Sequence, residues 1–542
     1  MISLLGREPS LHRPAVATSW ADDLLLPPIV RALCLDARYA GQIQMILTDL
    51  CPDPATIVYR QEVLEDLLRL PELATRLEML LPRLAGLAHA GSSRWDDAGV
   101  FQVTARLAEL ELYVECLQGL LTALEAVQTG LQAAGWRDLL AELRDQTTTP
   151  AFRSLQTELP ELRARIEHAG SVTVGINLDA QLRPESATLL GIHAGRFEGP
   201  RSLLGRLLRG EAALQASVTP LRLASDRQPF GPERRLFQDL SYLLEEVTTP
   251  VAQALARYTQ IESRTLAGLE GELAFYLGAR QMITQLQAAG YALCRPEIVP
   301  CAVRICQVRG AYNLELLLRL HSHSVTGENP PMVVPNDISF DDAGRVFVLT
   351  GPNRGGKTTF TRAVGQVQML GQAGLYVPGS AARISPVDQI FTLFPEAEQV
   401  QTGMGRLDEE AARLAEIFRA ATPHSLVLLN EPLASTSPAE ATGIARDLLS
   451  GLRLLGARAL IVTHLHNLAH ELPALNAATV GRGVLGSLVA GAEQHDGEVV
   501  TRTYRITPGI PAGQSYAADI AAQHGLHLSQ ITRTLRERGL GE

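Results

Sequence analysis

The sequence predicts an α/β P-loop domain lying C-terminal to a mainly α-helical region. Three features predict it. Residues Val346 to Thr359 read Val-Phe-Val-Leu-Thr-Gly-Pro-Asn-Arg-Gly-Gly-Lys-Thr-Thr: an apolar strand, the pattern G-x-x-x-x-G-K-T from Gly351 to Thr358, then a helix-compatible run. Two further apolar runs, Ser425 to Leu429 and Arg458 to Thr463, have the continuity of strands buried on both faces of a parallel sheet. Ahead of residue 300, leucines recur at helical spacing with few breakers.

The phosphate loop has a local mechanics. Gly351, Gly355 and Gly356 let backbone N–H groups turn inward on a polyphosphate, and the helix N-terminus behind them adds partial positive charge. Pro352, Asn353 and Arg354 complete the loop. Lys357 is placed to reach the β- and γ-phosphates of a nucleotide, and Thr358 to put its hydroxyl on Mg²⁺, with Thr359 beside it. Lys357 is also the only lysine in 542 residues; the other 47 basic side chains are arginine. Where a chain uses Arg wherever Arg will serve, a retained ammonium marks a place that a planar guanidinium would crowd.

Composition narrows the classes. A hydrophobic share of 46% supports sizeable cores, and a formal charge of −10 excludes a polybasic nucleic-acid binder, so any such contact must come from a local patch. The six cysteines include no C-x-x-C pair, and Cys294, Cys301 and Cys306 have no histidine at zinc-ligand spacing, so thiols are expected rather than a metal site. Met1 to Pro14 carries charge and no apolar core of a signal peptide, and no run of about 18 apolar residues occurs. The expectation is a cytoplasmic protein without a membrane segment.

In chain order, helices are expected from Tyr59 onward (Val63, Leu64, Leu67, then Leu73, Leu77, Leu80 after Pro71), from about Asp97 to Ala133 (Leu107, Leu110, Leu117, Leu120, Leu124), and from about Ala151 to His168. The texture changes at Ser171 to Asp179, where alternation with Gly and Asn reads as a strand that Ala187 to Ile192 could pair with. Between His193 and Arg235, eight arginines (among them Arg196, Arg201, Arg206 and Arg209) against four acids leave the segment at +4 and the rest of the chain at −14. Guanidinium groups on a DNA backbone need such a local reversal of sign, and a solvated basic loop is the plainer alternative. Helical pattern returns from about Pro232 to Gly290, Tyr291 to Val299 reads as a linker, and the α/β pattern begins near Cys301.

In phosphate-loop proteins a second apolar strand delivers an acid to Mg²⁺ and then a glutamate to the attacking water. Glu431 suits the second role. The first position is Asn430, whose amide oxygen can accept a hydrogen bond but brings no charge, so metal is held more weakly and turnover is expected to be slow. His464 follows the third buried strand, at the sheet edge where ligands bind in open α/β folds.

These residues together resemble the ATPase domain of the MutS DNA mismatch-repair family. The resemblance runs through Val334-Pro-Asn-Asp-Ile338, the phosphate loop, Gly374-Leu-Tyr-Val-Pro378, Asp388-Gln-Ile-Phe-Thr392, the stretch Ala421 to Glu431, Thr463-His464 and the tail Tyr504-Arg-Ile-Thr-Pro-Gly509 with Gly513-Gln-Ser515, about residues 315 to 530. It implies an ABC-like ATPase (residues 301–542) behind a helical lever region (1–300), with a clamp-like insertion at about 171–235. It implies a homodimer that shares ATP and Mg²⁺ between subunits and switches a DNA clamp in repair or recombination. Carried onto this chain, Asn353, Gly356, Lys357, Thr358 and Thr359 hold phosphates and metal, Asn430 and Glu431 serve the metal, Glu431 acts in hydrolysis, and His464 senses the γ-phosphate. The segment reaching the partner's nucleotide falls at Thr402 to Glu410, where Gly403, Gly405 and Arg406 stand in place of the family's Ser or Thr. A mismatch-reading domain with the family's Phe-x-Glu wedge is not expected here, since only about 300 residues, helical in pattern, precede the ATPase region in this sequence. Two other readings stay open: a nucleotide-gated scaffold with little turnover, and an ABC-like ATPase acting on protein partners.

Overall fold

The structure, a computed structural model, describes residues 3–6, 19–90, 100–167, 171–181, 184–193, 195, 249–258, 263–323, 332–395, 406–478, 480–481, 483–495, 499–511, 526–538 and 540. They form two compact units that interleave in sequence: residues 75–129 with 137–270, and residues 2–74 with 130–136 and 271–542.

The first unit is built on the helix Val100–Ala126, which packs against Pro150–Glu167 and Ser263–Ala267. Its stripe of Leu107, Leu110, Leu117, Leu120 and Leu124 is fully buried, each side chain contributing roughly 1.5–3 kcal/mol by leaving water. The expected pairing beyond this helix is present: β1 (Ser171–Leu178) and β2 (Pro184–His193) form an antiparallel hairpin with Ser171 opposite His193.

The second unit holds the remaining strands: β3 (Leu293–Cys294), β4 (Glu297–Ile298), β5 (Cys306–Ala311), β6 (Asn336–Phe340), β7 (Val346–Thr350), β8 (Val377–Pro378), β9 (Ala381–Ile384), β10 (Ile390–Leu393), β11 (Leu426–Asn430), β12 (Arg458–Val462), β13 (Leu485–His495) and β14 (Val499–Pro508). A six-stranded sheet has the order β10-β11-β12-β7-β13-β14, parallel except for the last strand. On one face Val346, Val348, Val427, Leu429, Ala459 and Ile461 meet Leu414 and Ile417 of the helix Arg406–Ala420, Leu449 and Leu452 of Pro438–Leu455, and Leu468 and Leu472 of His466–Ala478. Against β11 and β12 lies the helix Lys357–Gln372. That helix is held close to the N-terminal region: a Cβ on Gly365 would stand 2.6 Å from Leu24, Gln366 donates to the Leu24 carbonyl at 3.0 Å, and Arg362 to that of Asp23 at 2.8 Å.

Two local expectations change. The helix expected to run to Ala133 ends at Ala126, a 3₁₀ turn covers Gln128–Gly130, and a separate helix spans Ala134–Thr148. The break falls at Gly130 and is held from another helix: buried Asp66 accepts the backbone N–H groups of Gln132 and Ala133 at 2.9 and 2.8 Å. Tyr291 to Val299, read as a linker, contains β3 and β4, paired with β8 and β9. The stretch Gly374 to Pro378 contributes only the two-residue β8, outside the six-stranded sheet.

Candidate functional site

Three parallel strands, β7, β12 and β11, and their exits build the site. β7 ends at Thr350, and Gly351 turns the chain at φ 135°, where a Cβ would lie 2.8 Å from Ala490 Cβ and 2.9 Å from its carbonyl oxygen. Only glycine fits there. Gly356, at φ 91°, is the N-cap of the helix that opens with Lys357, so the first-turn N–H groups face the loop. Arg354 holds a left-handed φ of 59° without being glycine, local strain of the kind that clusters at ligand clamps.

Lys357 is buried, and its Nζ donates to the carbonyls of Gly351 at 2.9 Å and Pro352 at 3.0 Å, so the ammonium sits in the curl of its own loop. Burial holds its pKa below the ordinary lysine range, and the nearby Glu431 carboxylate partly opposes that. Thr358 donates its hydroxyl to Asn430 Oδ1 at 3.2 Å.

On the far side of β12 from β7, β11 brings Asn430 opposite Val462 of β12, and the Glu431 N–H continues onto the Val462 carbonyl at 2.9 Å. The Thr463 N–H bonds to Leu349 of β7 at 3.1 Å, which turns the following residue toward Glu431. His464 Nε2 stands 2.7 Å from Glu431 Oε1. That hydrogen bond, more than the charges of His464 and Lys357, holds the Glu431 carboxyl below the usual glutamate range against the opposing effect of burial. Glu431 itself is left-handed at φ 54°. Lys357, Thr358, Asn430, Glu431 and His464, distant in sequence, thus meet at one edge of the sheet.

A cavity of about 510 Å³ opens over the loop, lined by Asn353 through Thr359, Glu431, Tyr312, Met332 and Tyr504. Sequence reasoning passed over its upper wall. Tyr504 is held at φ 55° by Asn336, whose Nδ2 donates to the Tyr504 carbonyl at 3.0 Å while its Oδ1 accepts from the Ile506 N–H at 2.6 Å. The available signal was Asn336 inside Val334-Pro-Asn-Asp-Ile338, read for resemblance and not for a job. His466, two residues after His464, also belongs to the neighbourhood: burial, then the charges of His464 and Lys357, lower its pKa.

The chain matches the family model of the MutS2 N-terminal domain over residues 52–289 and that of MutS domain V over residues 347–537. The chain belongs to the MutS family. The domain V match takes in the phosphate loop, Asn430, Glu431 and His464. Among relatives, "Endonuclease MutS2" of Lacticaseibacillus casei is 29% identical over 279 residues, which is 50% of this chain and 33% of that protein. "DNA mismatch repair protein MutS" of Granulibacter bethesdensis is 26% identical over 409 residues, 70% of this chain and 42% of the relative. "DNA mismatch repair protein MutS 2" of Halobacterium salinarum is 34% identical over 247 residues, 44% of this chain and 28% of the relative. The chain therefore spans less than half the length of each of these MutS proteins.

Of the remaining MutS-like expectations, Arg196, Arg201, Arg206 and Arg209 lie outside the described residues, as do Gly403 and Gly405. Arg406 is the first residue of the helix Arg406–Ala420. Among the described residues no helix is long and apolar enough to cross a membrane.

Proposed function

We propose that this chain is an ATPase that binds ATP with Mg²⁺ in the cavity over the phosphate loop and uses the nucleotide state to switch a DNA-bound homodimer in repair or recombination. One observation carries the reading: Lys357, Thr358 and Glu431 line a cavity over a glycine loop at a helix N-terminus, with Asn430 bonded to Thr358 and His464 to Glu431. The residues fit the ligand. Glycines let the loop curl tightly, since a Cβ on Gly351 or Gly355 would meet Ala490 or Pro352, and a hydroxyl and an amide oxygen lie 3.2 Å apart where a metal ion needs oxygen donors.

The chain's part in the reaction is positioning and charge. Lys357 leaves the Gly351 and Pro352 carbonyls to meet phosphate oxygens, so binding exchanges two internal hydrogen bonds for charge-assisted ones. Thr358 and Asn430 would hold Mg²⁺, which when bound neutralises charge on the β- and γ-phosphate oxygens. Glu431, kept ionised by His464, accepts a proton from the attacking water or orients it. His464, adjacent to that carboxylate, is placed to register the γ-phosphate. Tyr504 and Tyr312 give the cavity aromatic walls on which a base can stack. The +4 segment containing Arg196, Arg201, Arg206 and Arg209 supplies phosphate-backbone contacts to DNA, and Gly403, Gly405 and Arg406 face the partner subunit's nucleotide in an ABC-like dimer. The setting is cytoplasmic.

A second reading, a nucleotide-gated scaffold with little turnover acting on DNA or on protein partners, is favoured by the uncharged Asn430. Single-turnover ATP hydrolysis separates the two. Glu431→Ala should slow the wild-type rate by roughly 100-fold or more; equal rates in the two proteins would leave the scaffold.

A further inference from the structure

Glu431 leads into a loop whose backbone needs outside support. Within three residues both Glu431 and Leu433 adopt left-handed φ angles, 54° and 67°, and neither is glycine. Such a pair persists only when neighbouring structure holds it. At Glu431 the Val462 carbonyl supplies the hold. At Leu433 it comes from another helix: the Leu433 N–H donates to Glu410 Oε2 at 3.0 Å, and the Ser435 hydroxyl donates to the same oxygen at 3.2 Å. Glu410 stands one turn before Leu414 on the helix Arg406–Ala420, and Leu414, Ile417 and Leu433 lie in the same core cluster. The helix is thereby fixed to the sheet by its apolar face while its half-buried carboxylate grips the loop behind Glu431.

We propose that Glu410 is a positioning residue for the hydrolytic reaction, a latch that fixes the Glu431 backbone to the helix Arg406–Ala420. The inference rests on the proposed role of Glu431. The latch is a carboxylate accepting from a main-chain N–H, a charge-assisted bond of the kind that sets geometry as well as energy. It transmits position in both directions: a shift of the helix moves the loop, and a shift of the loop moves the helix. Glu410 closes the segment expected to reach a partner's nucleotide, but its carboxylate is turned to Leu433 and Ser435, so releasing it leaves Lys357, Thr358 and the phosphate loop in place and nucleotide affinity stays while the carboxylate of Glu431 loses its aim. Misplacement of a reacting group by about 1 Å costs on the order of 100-fold in rate.

The test uses the full chain as wild type, Glu410→Ala and Glu410→Gln, the last keeping an oxygen that both donors can reach. Hydrogen exchange of the amides at 431–436, measured without nucleotide, should quicken at least roughly tenfold in Glu410→Ala and stay near wild type in Glu410→Gln. Single-turnover ATP hydrolysis should fall about 10- to 100-fold in Glu410→Ala, with the Kd for a fluorescent non-hydrolysable ATP analogue changed less than about threefold, and Glu410→Gln should restore most of the rate. Unchanged exchange, an unchanged hydrolysis rate, or a joint fall of affinity and rate in both variants would overturn the latch. A wild type that binds no nucleotide would instead strike the proposed function, and the nucleotide-free exchange comparison would still decide the latch.

Discussion

Asn430 receives the Thr358 hydroxyl at 3.2 Å, where a carboxylate would have brought a negative charge to the metal position. In the proposed metal position an oxygen acceptor is kept and its charge is gone. Asn430→Asp should therefore lower the Mg²⁺ concentration needed for half-maximal hydrolysis, on the order of tenfold; a titration with no shift would show that Asn430 does not serve the metal. The neighbouring Glu431 fixes the pH response. Its depressed pKa means the carboxylate charge is present above that value and is lost only as pH falls through it, so the acid limb of hydrolysis should lie below the pH at which an ordinary glutamate titrates. His464→Ala removes the principal cause of the depression and should move that limb upward in a rate-against-pH profile. An unmoved limb would detach His464 from the reaction. At this scale the sequence was informative: Lys357, Thr358, Asn430, Glu431 and His464 were legible because each stands at the exit of an apolar strand or within a glycine loop. Tyr504 and Asn336 were not, since their roles come from β14 lying beside β6, a neighbourhood no local pattern encodes.

The strands of the six-stranded sheet were legible as elements for the same reason that they are buried. Leu426 to Leu429 and Ala459 to Val462 are covered on both faces, so they read as unbroken apolar runs. The helix beginning at Ala134 was not legible, because Asp66 sets the chain break before it, and β3, β4 and β8 are two residues each, below what alternation can reveal. How the helix Pro54–Arg69 packs onto the α/β elements is also a matter of single contacts. Gly374, at φ 83°, leaves its missing Cβ 2.4 Å from Arg60 Cβ, and Gln61 donates to the Pro296 carbonyl at 2.9 Å. Gly374→Ala adds both a strained φ and an overlap between buried elements, and should cost about 2 kcal/mol or more in denaturant unfolding. A midpoint within error of wild type would mean that the helix is not seated against Gly374 as described.

For the molecule as a whole, membership of the MutS family places the phosphate-loop site in a protein type whose named relatives include mismatch-repair proteins and an endonuclease. The proposed DNA binding would have to overcome a net charge of −10, and its proposed means is the basic segment. Neutralising Arg201, Arg206 and Arg209 together should flatten the slope of log K against log salt by up to about three units' worth of phosphate contacts; an unchanged slope would turn the search toward protein partners. Every larger claim, from dimer to clamp, depends first on a triphosphate entering the cavity over Gly351 to Thr358. Equilibrium binding of a non-hydrolysable ATP analogue with Mg²⁺, wild type against Lys357→Ala, tests that most directly. Saturable binding by the wild type, weakened at least tenfold in the variant, is the predicted result. No binding by the wild type, or equal binding by the two, would contradict it.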